Sequence, residues 1–246
     1  MNSLTKVSTC LFCSLLLAAA AACSSRPAGD NAAGGGTTAP PASSGGTGGN
    51  LSTAAISEND KPVDVMTKAM RAQLDATSYR AHVTSSTDDG TINKMVIEYA
   101  SPDRYRMTGE GQGGGAGQGF KMEYVIAGGA TYIKNPNGGW VKSPIDGSEM
   151  IKAFRDPKML DELAKTADVK FVGADMLDGA PMLVYQYTQN NPMGMKVRNT
   201  AKTWLSVADG LPRKTETEGE FEGKKIKTSI TISDYNADIK IDAPVK

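Results

Sequence analysis

Apolar residues recur at every second position in run after run of this sequence. Phe120-Met122-Tyr124-Ile126 is the cleanest set, and Ile226-Thr228-Ile230-Ile232 keeps the same period. Tyr79-Ala81-Val83, Met95-Ile97-Tyr99 and Tyr105-Met107 follow it too, and strands are expected to resume at about 168–174, 181–188, 201–207, 212–218 and 225–233. A period of two sends alternate side chains to opposite faces of a strand. Asp89-Gly90, Asn135-Pro136-Asn137-Gly138-Gly139, Asp178-Gly179 and Asp209-Gly210 separate the runs and read as hairpin turns. The expectation is an α+β chain built on one long antiparallel meander, apolar on one face.

Few helices are available to cover that face. Val63, Met66, Met70 and Leu74 lie at helical spacing, which predicts a helix over about 61–76, with Pro62 in its first turn and Asp60 as its cap. Ser148 is the expected cap of a short helix carrying Met150, Ile151 and Phe154. Asp156-Pro157 opens a further one with Leu160 and Leu163. A short last strand is expected from Ile239 to Asp242. No period of 20–50 residues signals a repeat array.

The N-terminus is built differently. Residues 11–22 form an unbroken run of small and apolar residues, too short to span a bilayer and suited to the core of a signal peptide. The run ends Ala20-Ala21-Ala22-Cys23-Ser24-Ser25, which resembles the lipobox at which bacterial lipoproteins are diacylated on cysteine and cleaved. Residues 24–50 contain eight glycines and no Leu, Ile, Val, Met or aromatic residue, so they cannot bury enough surface to order themselves. The expected organisation is a signal peptide over 1–22, a lipidated Cys23 with a flexible linker to 58, and one domain over 59–246. A linker of this length reaches roughly 30–35 Å. The membrane contact is then an N-terminal diacylglyceryl cysteine on the extracytoplasmic side, in the cell membrane or in the outer membrane of a two-membrane envelope.

Composition removes much enzyme chemistry. The three cysteines are Cys10, Cys13 and Cys23, so the domain has no disulfide, thiol nucleophile or thiolate metal site. The one histidine, His82, excludes a multi-histidine centre and falls on the polar side of its strand, with no G-x-S-x-G elbow to serve it. Lys+Arg and Asp+Glu are both 27, against a basic nucleic-acid binder. Gly109-Glu110-Gly111-Gln112-Gly113-Gly114 fits G-x-G-x-x-G, but it precedes a strand rather than opening a helix, so it reads as a mobile hairpin loop. The acidic residues lie in turns without calcium-loop spacing. The expectation is no enzyme, no cofactor, no metal and a monomer.

Methionine is abundant, at twelve residues. It is unbranched and polarizable and suits surfaces that adapt to varied apolar partners. The inner strand faces and covering helices offer Tyr79, Val83, Met95, Ile97, Tyr99, Met107, Met122, Tyr124, Ile126, Met150 and Phe154 to a common interior. None is charged, so the expected contents are apolar.

An ordered series of segments resembles the lipoprotein-localization and lipid-carrier superfamily of LolA, LolB and the LppX–LprG-like lipoproteins. It runs from Ser78-Tyr79-Arg80 through Ser101-Pro102-Asp103-Arg104-Tyr105-Arg106-Met107 to Glu123–Pro136 and Trp140. It continues with Thr203-Trp204-Leu205, Gly210–Lys214, Ser233-Asp234-Tyr235 and Ile239–Pro244. The resemblance implies an unclosed, curved β-barrel with helices as a lid over a hydrophobic cavity for acyl chains. Ser101 stands where the soluble carriers have a basic residue, and tract 109–119 lacks the protruding apolar residue of the anchored acceptor. An anchored lipid or glycolipid carrier is therefore implied ahead of a lipoprotein relay. The alternative is a protein-binding or signalling-regulatory module of the envelope with the same fold and no lipid.

Overall fold

The computed structural model describes residues 56–112, 119–158, 160–161, 165, 167–190, 198–221 and 223–245. Cys23 and the lipobox lie outside them. Helix α1 (Pro62–Asp75) leads into six strands: β1 (Ser78–Thr87), β2 (Ile92–Ala100), β3 (Arg104–Gln112), β4 (Phe120–Ala127), β5 (Ala130–Lys134) and β6 (Trp140–Asp146). Helix α2 (Gly147–Phe154) follows. Then come β7 (Asp168–Leu177), β8 (Ala180–Asn190), β9 (Arg198–Ser206), β10 (Pro212–Phe221) and β11 (Lys224–Ser233).

The eleven strands among the described residues form one antiparallel sheet, ordered β6-β5-β4-β3-β2-β1-β11-β10-β9-β8-β7. It consists of two meanders joined where the first strand pairs with the last, Ala81 opposite Ile232 and Val83 opposite Ile230. The edges β6 and β7 do not pair with each other, so the barrel is unclosed. Tight turns set the register. Gly128 and Gly129 both take positive φ between β4 and β5, and Asp178 and Gly179 do so between β7 and β8. Two such residues in a two-residue loop match the twist of the flanking strands.

Helix α1 buries Val65, Met66 and Ala69 against Leu183, Tyr185 and Leu205 of β8 and β9. Ile56 belongs to the same cluster and is 7% exposed. The domain thus starts at or before 56, and the apolar residue just ahead of the helix is a core residue rather than linker. Lys61, not Asp60, occupies the cap position of α1, with no side-chain cap bond. Asp60 instead accepts from Ser57 N, and the first-turn N–H groups of Asp64 and Val65 donate to the Lys61 carbonyl. At α2 the cap is Asp146 rather than Ser148. Its carboxylate accepts from Ser148 N at 2.9 Å and Glu149 N at 3.4 Å.

Both faces of the sheet carry apolar clusters. On the face opposite α1, Ala100, Val125 and Ala127 pack with Trp140, Ile239 and Ile241. Met182, Val184 and Trp204 form a second patch there, with Trp204 Nε1 donating to Asp175 at 2.8 Å. The expected last strand, Ile239–Asp242, does not form. Strand β11 is central, with β1 and β10 on its two sides, so the chain leaving it has no free edge within reach. Ile241 packs through its side chain instead and is held by the Arg104 guanidinium, which donates to its carbonyl.

Gly109, Glu110, Gly111 and Gln112 belong to β3 rather than to a hairpin loop. Gly109 and Gly111 continue the inner-face alternation of Tyr105 and Met107. A Cβ on Gly109 would come 3.1 Å from both Met95 Cγ and Met122 Cγ. The glycine leaves room for the two methionines to meet above it.

Candidate functional site, the inner face

Register assembles the inner face in rows. Tyr79, Tyr99, Tyr105 and Ile126 stand opposite one another across β1 to β4. The next row is Ala81, Ile97, Met107 and Tyr124, continued by Ile133 of β5. The third is Val83, Met95, Gly109 and Met122. Nine of the eleven residues expected in the interior thus share one face. Val83, Met95, Tyr99, Met107, Tyr124 and Ile126 are buried, and Tyr79, Ile97 and Met122 are half-buried. The side chains of Met150 and Phe154 lie outside the described residues. The alternation found these positions because each is fixed by strand period and turn register alone.

Contacts place α2 over the first of these rows. Strand β6 lies on one edge of the sheet and β7 on the other, and α2 belongs to the connection that links the two edges. At its start, Gly147 stands against Ile126 and Thr131 of β4 and β5. Ile151, one turn on, is buried. At its end Arg155 is fixed by its N–H donating to Ile151 O at 3.0 Å, and its guanidinium carbon lies 4.2 Å from the centre of the Tyr99 ring on β2. The helix thus starts on β4 and β5, and the Arg155 side chain just past its end reaches β2. Beyond it, Leu160 is buried and Asp161 pairs with Arg71 of α1 at 3.1 Å. Leu163 lies outside the described residues.

One floor of this face is aromatic. The Tyr79 and Tyr99 rings are 5.4 Å apart, Tyr105 and Tyr124 5.9 Å, and Tyr79 and Tyr235 6.1 Å. Burial pushes the Tyr79 phenol up to about 12, against the opposing pull of Arg155. Burial also raises Tyr105, Tyr124 and Tyr235. Desolvation disfavours the phenolate, so these groups stay neutral. Sequence reasoning missed Arg155. It lies beyond the apolar spacing of α2, and no local pattern announces a side chain that folds back over a sheet. The expectation of an uncharged interior is corrected by this guanidinium and by that of Arg213, 5.0 Å from the centre of the Tyr235 ring.

A groove of about 620 Å³ lies over the same strands but opens mainly on the opposite face. His82, Thr84, Lys94, Val96, Thr108, Glu110, Lys121, Glu123 and Lys134 line it, together with the β5–β6 turn. Val83, Met95 and Met122 are the expected interior residues that also border it. Lys134 and Glu123 are paired there at 2.7 Å. Among the described residues no group of His, Cys, Asp and Glu has metal-site geometry.

No family model and no curated protein matches this chain. Solved structures do. Lipoprotein LppX of Mycobacterium tuberculosis superposes with a TM-score of 0.51 at 14% identity, over 73% of this chain and 97% of that one. LprF of Mycobacterium bovis gives 0.51 at 13% identity, over 74% and 96%. The chain therefore shares the fold of LppX and LprF, an unclosed antiparallel barrel with a small helical part.

Proposed function

We propose that this protein is an extracytoplasmic lipoprotein, anchored through Cys23, that binds or carries acyl chains of lipid or glycolipid between the inner face and α2. The observation that carries the reading is the seat of α2 on the inner face, with Gly147 against Ile126 and Arg155 over Tyr99 in the tyrosine row, and the methionine rows continuing the same face beyond it. A short helix laid over an apolar sheet face leaves side chains, not backbone, as the layer a guest must part. Met95, Met107 and Met122 supply unbranched, adaptable side chains to that layer. A sixteen-carbon chain buried there gains about 12 kcal/mol before the costs of binding. Such a site needs binding and orientation only, and the described residues facing it offer no nucleophile–base pair, so carriage rather than catalysis is proposed. Organic extraction of the protein purified from its own membrane tests the reading: bound diacyl lipid is expected in the extract.

A second reading, a protein-binding or signalling-regulatory module without lipid, draws support from the open edge β7. There Val172 is 52% and Met176 61% exposed, and an unpaired edge is a template for a partner strand. An extract free of lipid favours it.

A further inference from the structure

Six arginines have described side chains, and five of them face carboxylates. Arg71 pairs with Asp161, Arg80 with Glu98 and Asp234, Arg104 with Asp242, Arg106 with Glu98, and Arg213 with Asp209. Arg155 has no carboxylate partner among the described residues, and its guanidinium reaches the inner face; Arg213 also lies over a ring of the tyrosine floor, 5.0 Å from the centre of Tyr235, but is paired with Asp209. Arg155 is half-buried, and its guanidinium lies on the Tyr99 ring at 4.2 Å. Tyr79 is the next ring, 5.4 Å from Tyr99.

This geometry has a chemical consequence. A guanidinium lying on an aromatic face uses its π surface and leaves its N–H edge free. That edge matches the two oxygens of a carboxylate or phosphate. A cation held over an apolar surface without a counter-ion is costly, and an anionic guest removes the cost. From Tyr99, inner-face positions 97 and 95 lead along β2 past Met107 and Met122, roughly 14 Å of strand lined by aliphatic side chains. A charged head at Arg155 and a chain along the methionine rows describe one amphiphile.

We propose that Arg155 is the head-group contact of the inner face and selects amphiphiles with an anionic oxyanion head, a fatty-acid carboxylate or a phospholipid phosphate. The proposal rests on the acyl-carrier reading above and adds the class of ligand.

The test uses the chain from residue 23 onward carrying Cys23→Ser, with linker and domain intact. Dissociation constants are compared for palmitate against its methyl ester, and for phosphatidylglycerol against diacylglycerol. The acid of at least one pair is expected to bind about tenfold tighter than its uncharged analogue, the worth of one charge-assisted hydrogen bond. A preference confined to the first pair identifies the carboxylate, and one confined to the second identifies the phosphate. Arg155→Gln is expected to bring the preferred pair to within about twofold, while Arg155→Lys keeps part of the preference. Retained near-ultraviolet circular dichroism shows that both variants are folded. Equal binding of acid and neutral analogues by the unsubstituted protein, or a preference that survives Arg155→Gln, overturns the head-group role while leaving acyl binding in place. Binding of none of the four overturns the carrier reading and this inference with it.

Discussion

Gly147 stands so close to Ile126 that a Cβ at the glycine would overlap Ile126 Cγ2 and come 2.9 Å from Thr131 Oγ1. The first residue of α2 is thereby pressed onto β4 and β5, and Asp146 caps the helix at the same point. Any side chain at 147 has to lift the helix from the sheet. Gly147→Ala is therefore expected to lower stability by about 1–3 kcal/mol, the cost of overpacking, measured as the loss in denaturant midpoint at unchanged slope. A change within about 0.5 kcal/mol, the size of a neutral surface substitution, shows that α2 is not seated on Ile126.

Ile56 tests where the domain begins. It is buried with Val65, Met66 and Tyr185, ahead of the first helix. Ile56→Ala is expected to cost about 2–4 kcal/mol, as for other large-to-small core changes. A truncation starting at residue 59 is expected to lose at least as much against one starting at 51. Equal stability of the two truncations contradicts the packing.

Strand period carried most of the fold. β4 and β11 read correctly because one residue in two is apolar and every hairpin turn has its glycine or aspartate. The same logic placed Tyr79, Val83, Met95, Ile97, Tyr99, Met107, Met122, Tyr124 and Ile126 on one face. Three features escaped because they depend on distant partners. Gly109 and Gly111 look like loop residues until Met95, Met122 and Phe120 are seen filling the space above them. Ile241 looks like a strand residue until β11 proves to be central. Arg155 looks like a helix end until its guanidinium is seen over the Tyr99 ring.

Alkaline pH loosens the tyrosine floor. The fold holds the Tyr79 phenol neutral, up to about 12, and raises Tyr105 and Tyr124 as well. A group whose ionisation is raised by folding contributes stability that is complete below its ordinary value, near 10, and is lost as pH climbs through the folded one. Denaturant midpoints are expected to be flat from about pH 8 to 9.5 and to fall between about 10 and 12. Tyr79→Phe is expected to flatten part of that fall. A constant midpoint to about pH 12 contradicts the burial.

Anchoring is tested through Cys23. Metabolic labelling with a fatty-acid analogue is expected to mark the unsubstituted protein and not Cys23→Ser, and the variant is expected to remain unprocessed or to leave the membrane. Equal labelling of the two removes the lipobox assignment.

The inner face itself is tested most directly by native mass spectrometry of residues 56–246 after incubation with membrane lipid. Met122 is half-buried above Gly109 on that face, so a carboxylate placed there enters the path of the chain. The account predicts protein carrying diacyl lipid, and Met122→Glu protein that keeps its fold but flies free of lipid. Spectra showing only unliganded protein for the unsubstituted domain would contradict it.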